Sequence, residues 1–172
     1  VQTCALPIYD TARFLTLLQG NAARMQMAAV WLLSWIGVPC LYYGDEIGLD
    51  GGNDPFCRKP FPWDVGDWDR PLLALFQRMA ALRKQSVALR RGGCQVLYAS
   101  GETLVFVRLY QQEQVLVALQ RDGSGQAQLP YNPLLARGPW RRVEGRGELS
   151  ETAGGLRLQL AEETATVWRC EG

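Results

Sequence analysis

Histidine is absent from the 172 residues, which removes Ser-His-Asp and Cys-His nucleophilic catalysis from this chain. Cysteine is sparse and scattered, at Cys4, Cys40, Cys57, Cys94 and Cys170. An odd number without any C-x-x-C pair argues against both a zinc site and a disulfide framework. Buried free thiols in a reducing cytoplasm are the simplest expectation. No apolar run reaches the length of about eighteen residues that a membrane-spanning helix needs. Net charge is only +1, so neither nucleic acid nor a membrane surface is expected as a partner. The opening "VQTCALPIYD" lacks a basic segment followed by a long apolar core, which excludes a signal peptide. Internal repeats and low-complexity tracts are also missing.

What is present is ordinary for a globular protein, with 48% apolar and 20% charged residues,. Two textures divide the chain. Up to about residue 92 it reads as alternating helix and strand. "NAARMQMAAVWLLSW" from Asn21 to Trp35 predicts a helix with Asn21 as its N-cap and Gly37-Val38-Pro39 beyond its end. It is apolar nearly all round, so burial on most sides is expected, with Trp31 and Trp35 in the core. "VPCLYY" predicts a short strand of a parallel sheet. "RPLLALFQRMAALRKQSVALRRGG" predicts one helix, with Pro71 in its first turn and Gly92-Gly93 at its end.

From Cys94 the pattern changes. "CQVLYA", "TLVFVRLY", "QVLVALQR", "GLRLQL" and "TATVWRC" alternate apolar and polar residues and are separated by turn residues. They predict a small antiparallel β-sandwich. Tyr98, Phe106, Tyr110 and Trp168 fall within that alternation and are expected to pack in the core.

Between the two predicted helices lies "GDEIGLDGGNDPFCRKPFPWD", Gly44 to Asp64. In parallel α/β folds ligands sit beyond the carboxyl ends of the strands, which is where this loop falls. Asp45, Glu46, Asp50 and Asp54 supply acceptors, Arg58 and Lys59 supply donors, and Phe56, Phe61 and Trp63 offer flat apolar faces. Carboxylates and a guanidinium suit sugar hydroxyls, and rings suit the C–H face of a pyranose. Structural alternatives stand beside this reading. Asp45 and Glu46 either serve a site or cap a turn and pair with a buried base. Asp54 and Arg58 either bind ligand or form a structural ion pair. Calcium is a further option, although the spacing matches no EF-hand, and no metal is expected.

These residues carry a family resemblance. "GVPCLYYGDEIGL" (Gly37 to Leu49) resembles the eighth-strand motif of the α-amylase family of glycoside hydrolases. "GGNDPFCRKPFPWD" is similar to its continuation in the neopullulanase, cyclomaltodextrinase and maltodextrin glucosidase branch, and "DPFCRKPFPW" looks most like the last of these. "YDTARF" (Tyr9 to Phe14) is similar to the family's NHDT-x-R segment. The resemblance implies the C-terminal end of a (β/α)8 barrel, residues 10–92, followed by an antiparallel β-sandwich, residues 93–172. It implies retaining hydrolysis of α-1,4-glucosidic bonds in maltodextrins or other α-glucans in the cytoplasm, with release of glucose and with no cofactor. Retention uses two carboxyl groups about 5–5.5 Å apart, which the family draws from strands that would precede residue 1. Asp10 aligns with the family's third carboxylate, which holds the sugar at the cleaved bond and favours the oxocarbenium-like transition state. Asp54 and Arg58 align with residues contacting a neighbouring glucose. The chain by itself is therefore expected to be inactive.

One departure concerns the N-terminus. Ile8 and Tyr9 stand where the family has Asn-His, so position 9 lacks an imidazole donor. "VQTCALPI" resembles a translated sequencing adapter joined to a truncated gene, and residues 1–9 are expected to be a non-native leader. Residues before Ala22 are expected to be poorly anchored without the rest of a barrel. Two other readings stay open: a cyclomaltodextrinase or neopullulanase type of hydrolase, and a non-catalytic glucan-binding module.

Overall fold

The computed structural model describes residues 11–135 and 138–171. Eight strands make two antiparallel sheets. β1 (Gly93–Ala99), β2 (Thr103–Tyr110), β3 (Glu113–Gln120), β8 (Thr164–Glu171) and β5 (Arg141–Glu144) form one sheet in that spatial order. β4 (Gly125–Pro130), β7 (Gly155–Leu160) and β6 (Glu148–Thr152) form the other. Helices α2 (Ala22–Ser34), α3 (Arg70–Gln85) and α4 (Val87–Arg91) join the short α1 (Phe14–Leu17) on the helical side.

The period-2 pattern of the central strands explains the layering. Phe106, Val117 and Val167 are cross-strand partners in one row, whereas Val107, Leu116 and Trp168 form a row on the opposite face. The first row packs with Met25, Ala29, Val30 and Leu33 of α2 and with Leu72, Phe76 and Met79 of α3. The second packs with Ala127, Leu129, Leu156 and Leu158 of the smaller sheet. The larger sheet is thus covered on both faces, so nearly every residue of β3 is buried. Each fully buried aliphatic side chain contributes roughly 1.5–3 kcal/mol. Phe106 and Trp168 are core residues as expected, and Tyr98 and Tyr110 pack at its margins.

Two buried arginines fix the end of α2. Arg108 Nη1 donates to the carbonyls of Ser34 (2.7 Å) and Trp35 (2.8 Å), Nη2 to Gly92 (2.8 Å) and Nε to Gly93 (3.2 Å). Arg83 Nη1 donates to Leu33 (3.0 Å) and Trp35 (3.2 Å), and Nη2 to Gly37. Burial lowers the pKa of both guanidiniums. Their partners named above are carbonyl oxygens, and the negative end of the α2 dipole favours a cation there.

Several expectations are corrected. Residues 38–43 form no strand, and no strand precedes Gly93 among the described residues. A barrel strand is held by main-chain hydrogen bonds to neighbours on both sides, and residues 11–92 contain no second strand to provide them. Val38 is consequently 94% exposed. The single helix expected over residues 70–91 is two, because Ser86 ends α3 and its hydroxyl caps α4 through Leu89 N–H (3.1 Å). Asn21 caps α2 as expected, accepting from Arg24 N–H at 3.0 Å. Trp31 and Cys40 are exposed rather than buried, since α2 turns only one side to α3 and the sheet. Segment 13–18 is anchored: Arg13 is buried, and Phe14, Leu15 and Leu18 pack on the core. Asp10 and the proposed leader, residues 1–9, lie outside the described residues.

Candidate active-site rim

The loop after α2 is fastened to the chain segment just beyond Asp10. Arg13 N–H donates to the Gly51 carbonyl, and Gly51 N–H donates to Thr16 Oγ1, both at 2.8 Å. Gly51 is required by this approach. A Cβ there would lie 2.5 Å from the Phe56 carbonyl oxygen and 3.2 Å from Arg13 Cδ. Gly44 opens the loop at φ 87°, a conformation that favours glycine. From the other side, Asp69 N–H donates to the Ile47 carbonyl at 3.0 Å, and Asp69 in turn caps α3 through Leu72 N–H at 2.9 Å.

Arg13 is the hub of the rim. Its Nη1 donates to the Tyr43 carbonyl at 2.8 Å and to Asp45 Oδ1 at 3.2 Å. Its guanidinium carbon lies 4.4 Å from the ring centre of Tyr42 and 4.7 Å from that of Tyr43, within range of a cation–π attraction. Asp45 therefore takes the structural reading, pairing with a buried base; Glu46 beside it is half-buried. Arg13 was present in the "YDTARF" motif but carried no assigned role. A base three residues beyond an aspartate, matched with an acid pair elsewhere in the chain, was the available signal.

Burial pushes the Asp45 carboxyl up to about 6, and Glu46 adds to this while Arg13 opposes it. The protonated form is thus favoured by folding. Its contribution to stability is fully present below the unfolded pKa, near 4, and is lost as pH rises through about 6. The stability of wild type relative to Asp45→Asn is expected to fall by about 2–3 kcal/mol between pH 4 and pH 7. Urea unfolding of both proteins across that range checks this. A difference that stays constant, or grows with pH, contradicts it.

Asp54 and Arg58 are brought together: Arg58 Nε lies 3.0 Å from Asp54 Oδ1, and both side chains are about half exposed. Lys59 pairs with Asp50 at 2.6 Å, and this contact holds the Asp50 carboxyl below its ordinary value. Phe56 and Trp63 are exposed. Trp63 stacks on Phe61 with centroids 4.9 Å apart, and Trp68 Nε1 donates to the Pro62 carbonyl at 2.8 Å. The rim thus offers a half-exposed acid–guanidinium pair on a loop that also presents exposed aromatic rings. Phe56 stands between Asp54 and Arg58 in sequence.

The alpha-amylase catalytic-domain family matches residues 1–92. The chain belongs to the alpha-amylase family of glycoside hydrolases. It is 40% identical over 134 residues to the cyclomaltodextrinase of Geobacillus thermopakistaniensis, covering 77% of this chain and 22% of that protein. Neopullulanase 2 of Thermoactinomyces vulgaris is 33% identical over 157 residues, covering 90% of this chain and 27% of that one. Among solved structures, the debranching enzyme from Nostoc punctiforme superposes with a TM-score of 0.83 at 30% identity, covering 92% of this chain and 33% of that chain. The cyclic alpha-maltosyl-(1→6)-maltose hydrolase of Arthrobacter globiformis gives 0.76 at 28% identity, covering 94% and 33%. This alpha-amylase-family chain therefore spans about a fifth to a third of the length of these relatives. The likenesses and the paired antiparallel sheets bear out the expected fold class, the end of a (β/α)8 barrel followed by a β-sandwich.

Proposed function

We propose that the chain is the C-terminal part of a longer retaining α-glucan hydrolase of the cyclomaltodextrinase and neopullulanase kind. The observation that carries this reading is the 40% identity to a protein named cyclomaltodextrinase across 77% of the chain. That likeness favours this branch over the maltodextrin glucosidase suggested by "DPFCRKPFPW". In this reading residues 10–92 close the barrel and residues 93–172 form the sandwich behind it. Asp10 stabilises the oxocarbenium-like transition state, and the nucleophile and acid/base come from elsewhere in the longer protein. The 172 residues alone are expected not to turn over maltotriose. The described cysteines are free thiols, which suits a cytoplasmic enzyme, and no helix among the described residues is long and apolar enough to cross a membrane.

The test is to assay the longer protein on a cyclomaltodextrin, on maltotriose and on pullulan while following the anomeric configuration of the first product by NMR. Cyclomaltodextrin opening with retained α configuration supports the proposal. Inverted product, or glucose release from linear maltodextrins alone, overturns it.

Asp54 and Arg58 are assigned to a glucose unit beside the cleaved bond. The half-exposed pair supports this, because a surface ion pair contributes little to stability and both side chains face solvent in part. Arg58→Ala in the longer protein is expected to raise KM about tenfold with kcat changed less than threefold. That corresponds to losing one charged hydrogen bond, about 1.5 kcal/mol. An unchanged KM, or a fall confined to kcat, contradicts the assignment.

A further inference from the structure

Arg13 is a buried cation with three of its five N–H donors unused,. Its side chain is 0% exposed, yet Nε and Nη2 have no hydrogen-bond partner. Buried donors left unpaired are costly, and buried charges more so. The single carboxylate contact, to Asp45, is monodentate and comes from Nη1 at 3.2 Å. The vacancy has a definite shape. Nε–H and Nη2–H point the same way along one edge of a guanidinium, the edge that matches the two oxygens of a carboxylate.

This protein uses that edge repeatedly. Arg78 meets Glu144 through Nε at 2.7 Å and Nη2 at 3.2 Å. Arg121 meets Glu102 through the same two atoms, both at 2.9 Å. Arg169 turns the same edge to Glu113, with Nε at 3.0 Å and Nη2 at 2.9 Å from the single oxygen Oε1. Arg13 is more buried than all three of these arginines, and its edge alone among the four is empty.

We propose that the Nε/Nη2 edge of Arg13 is a carboxylate socket, filled by an acidic side chain of the longer protein from beyond these 172 residues, which locks the rim loop in place. A carboxylate is the acceptor proposed, because the one ionic contact of this buried charge, to Asp45, is long and monodentate, and because paired parallel donors favour paired oxygens; main-chain carbonyls, which fill the same edge of Arg108, are the alternative that the test distinguishes. An Asp or Glu of the remainder of the longer hydrolase supplies such a group. That source rests on the proposed function; the socket does not. Through the Arg13–Gly51 and Arg13–Tyr43 bonds, the incoming carboxylate fixes the loop that carries Asp54 and Arg58. Arg13 is thus a positioning residue.

The experiment is a crystal structure of the longer protein together with a double-mutant cycle. A carboxylate from the remainder of the longer protein bridging Nε and Nη2 within about 3 Å is expected, and Asp10 at that edge overturns the proposal. Replacing that acid by its amide and Arg13 by Lys, which keeps the charge but loses the fork, should each raise the unfolding equilibrium constant about tenfold or more. The double variant should be no worse than the worse single one. Arg13→Lys should also raise KM for maltodextrin more than it lowers kcat, a split that a purely structural role does not produce. Water, main-chain carbonyls or nothing at that edge, or additive effects in the cycle, overturns the proposal. Glucan hydrolysis by the unsubstituted longer protein reports separately on the proposed function.

Discussion

Arg108→Met should destabilise the chain by about 3–5 kcal/mol, because several buried carbonyls lose their donor at about 1–3 kcal/mol each. Methionine matches the length and apolar stem of arginine, so little packing is lost. What is lost is the donor set for four carbonyls, those of Ser34, Trp35, Gly92 and Gly93. These acceptors sit at the C-terminus of α2 and at the junction of α4 with β1, where no helical N–H is available to them. Arg83 covers part of the deficit, since it also donates to Trp35 and, independently, to Leu33 and Gly37. Removing Arg108 relieves the mutual repulsion of the two cations, which keeps the loss from being larger. Arg108→Lys retains charge but cannot span four acceptors, and an intermediate loss is expected. Urea midpoints at constant m-value give the comparison. A change under 1 kcal/mol for Arg108→Met would mean that the two arginines are redundant.

This network also shows where the sequence was readable. Alternation along β2, β3, β7 and β8 was plain because those strands are buried on at least one face, with large β-branched and aliphatic residues at every second position. β4, β5 and β6 were missed. "GQAQLP", "RRVE" and "ELSET" have only one or two apolar residues each. Their strand state is imposed by pairing with β7 and β8 rather than by their own pattern. Arg108 was hidden for the opposite reason, because a lone charge inside "TLVFVRLY" reads as the solvent-facing position of an alternating strand. Its acceptors come from 73 and 74 residues away, and no local rule anticipates them. The rim divides in the same way. Asp54 and Arg58 are four residues apart and their pairing was visible as an alternative. The pairing of Arg13 with Asp45 spans 32 residues and was foreseen only as an unnamed buried base. The expected strand at residues 38–43 failed because strand formation depends on neighbours, which the sequence of one strand does not contain.

In the longer protein, Asp10→Asn is expected to lower kcat by about 10²–10³ with KM changed only a few-fold, the range seen when one preorganised electrostatic group is removed from an active site. The amide keeps the size of the carboxylate and one acceptor oxygen, so ground-state contacts to sugar hydroxyls are largely retained. It loses the negative charge, which acts only as positive charge develops on the ring in the transition state. A loss concentrated in kcat is therefore the signature of the proposed role, whereas loss of a binding contact appears in KM. Asp10 lies outside the described residues, and the prediction rests on the family motif and on the anchorage just beyond it. The Arg13–Gly51 and Thr16–Gly51 bonds hold the residues that follow Asp10 to the rim loop, the same loop that carries Asp54 and Arg58. Circular dichroism and an unchanged urea midpoint separate a chemical effect from misfolding. If kcat stays within tenfold of wild type in a folded variant, Asp10 is not the transition-state carboxylate. The role then passes to another acid of the longer protein, and Arg13 still clamps the rim, since its bonds to Tyr43 and Gly51 do not involve position 10.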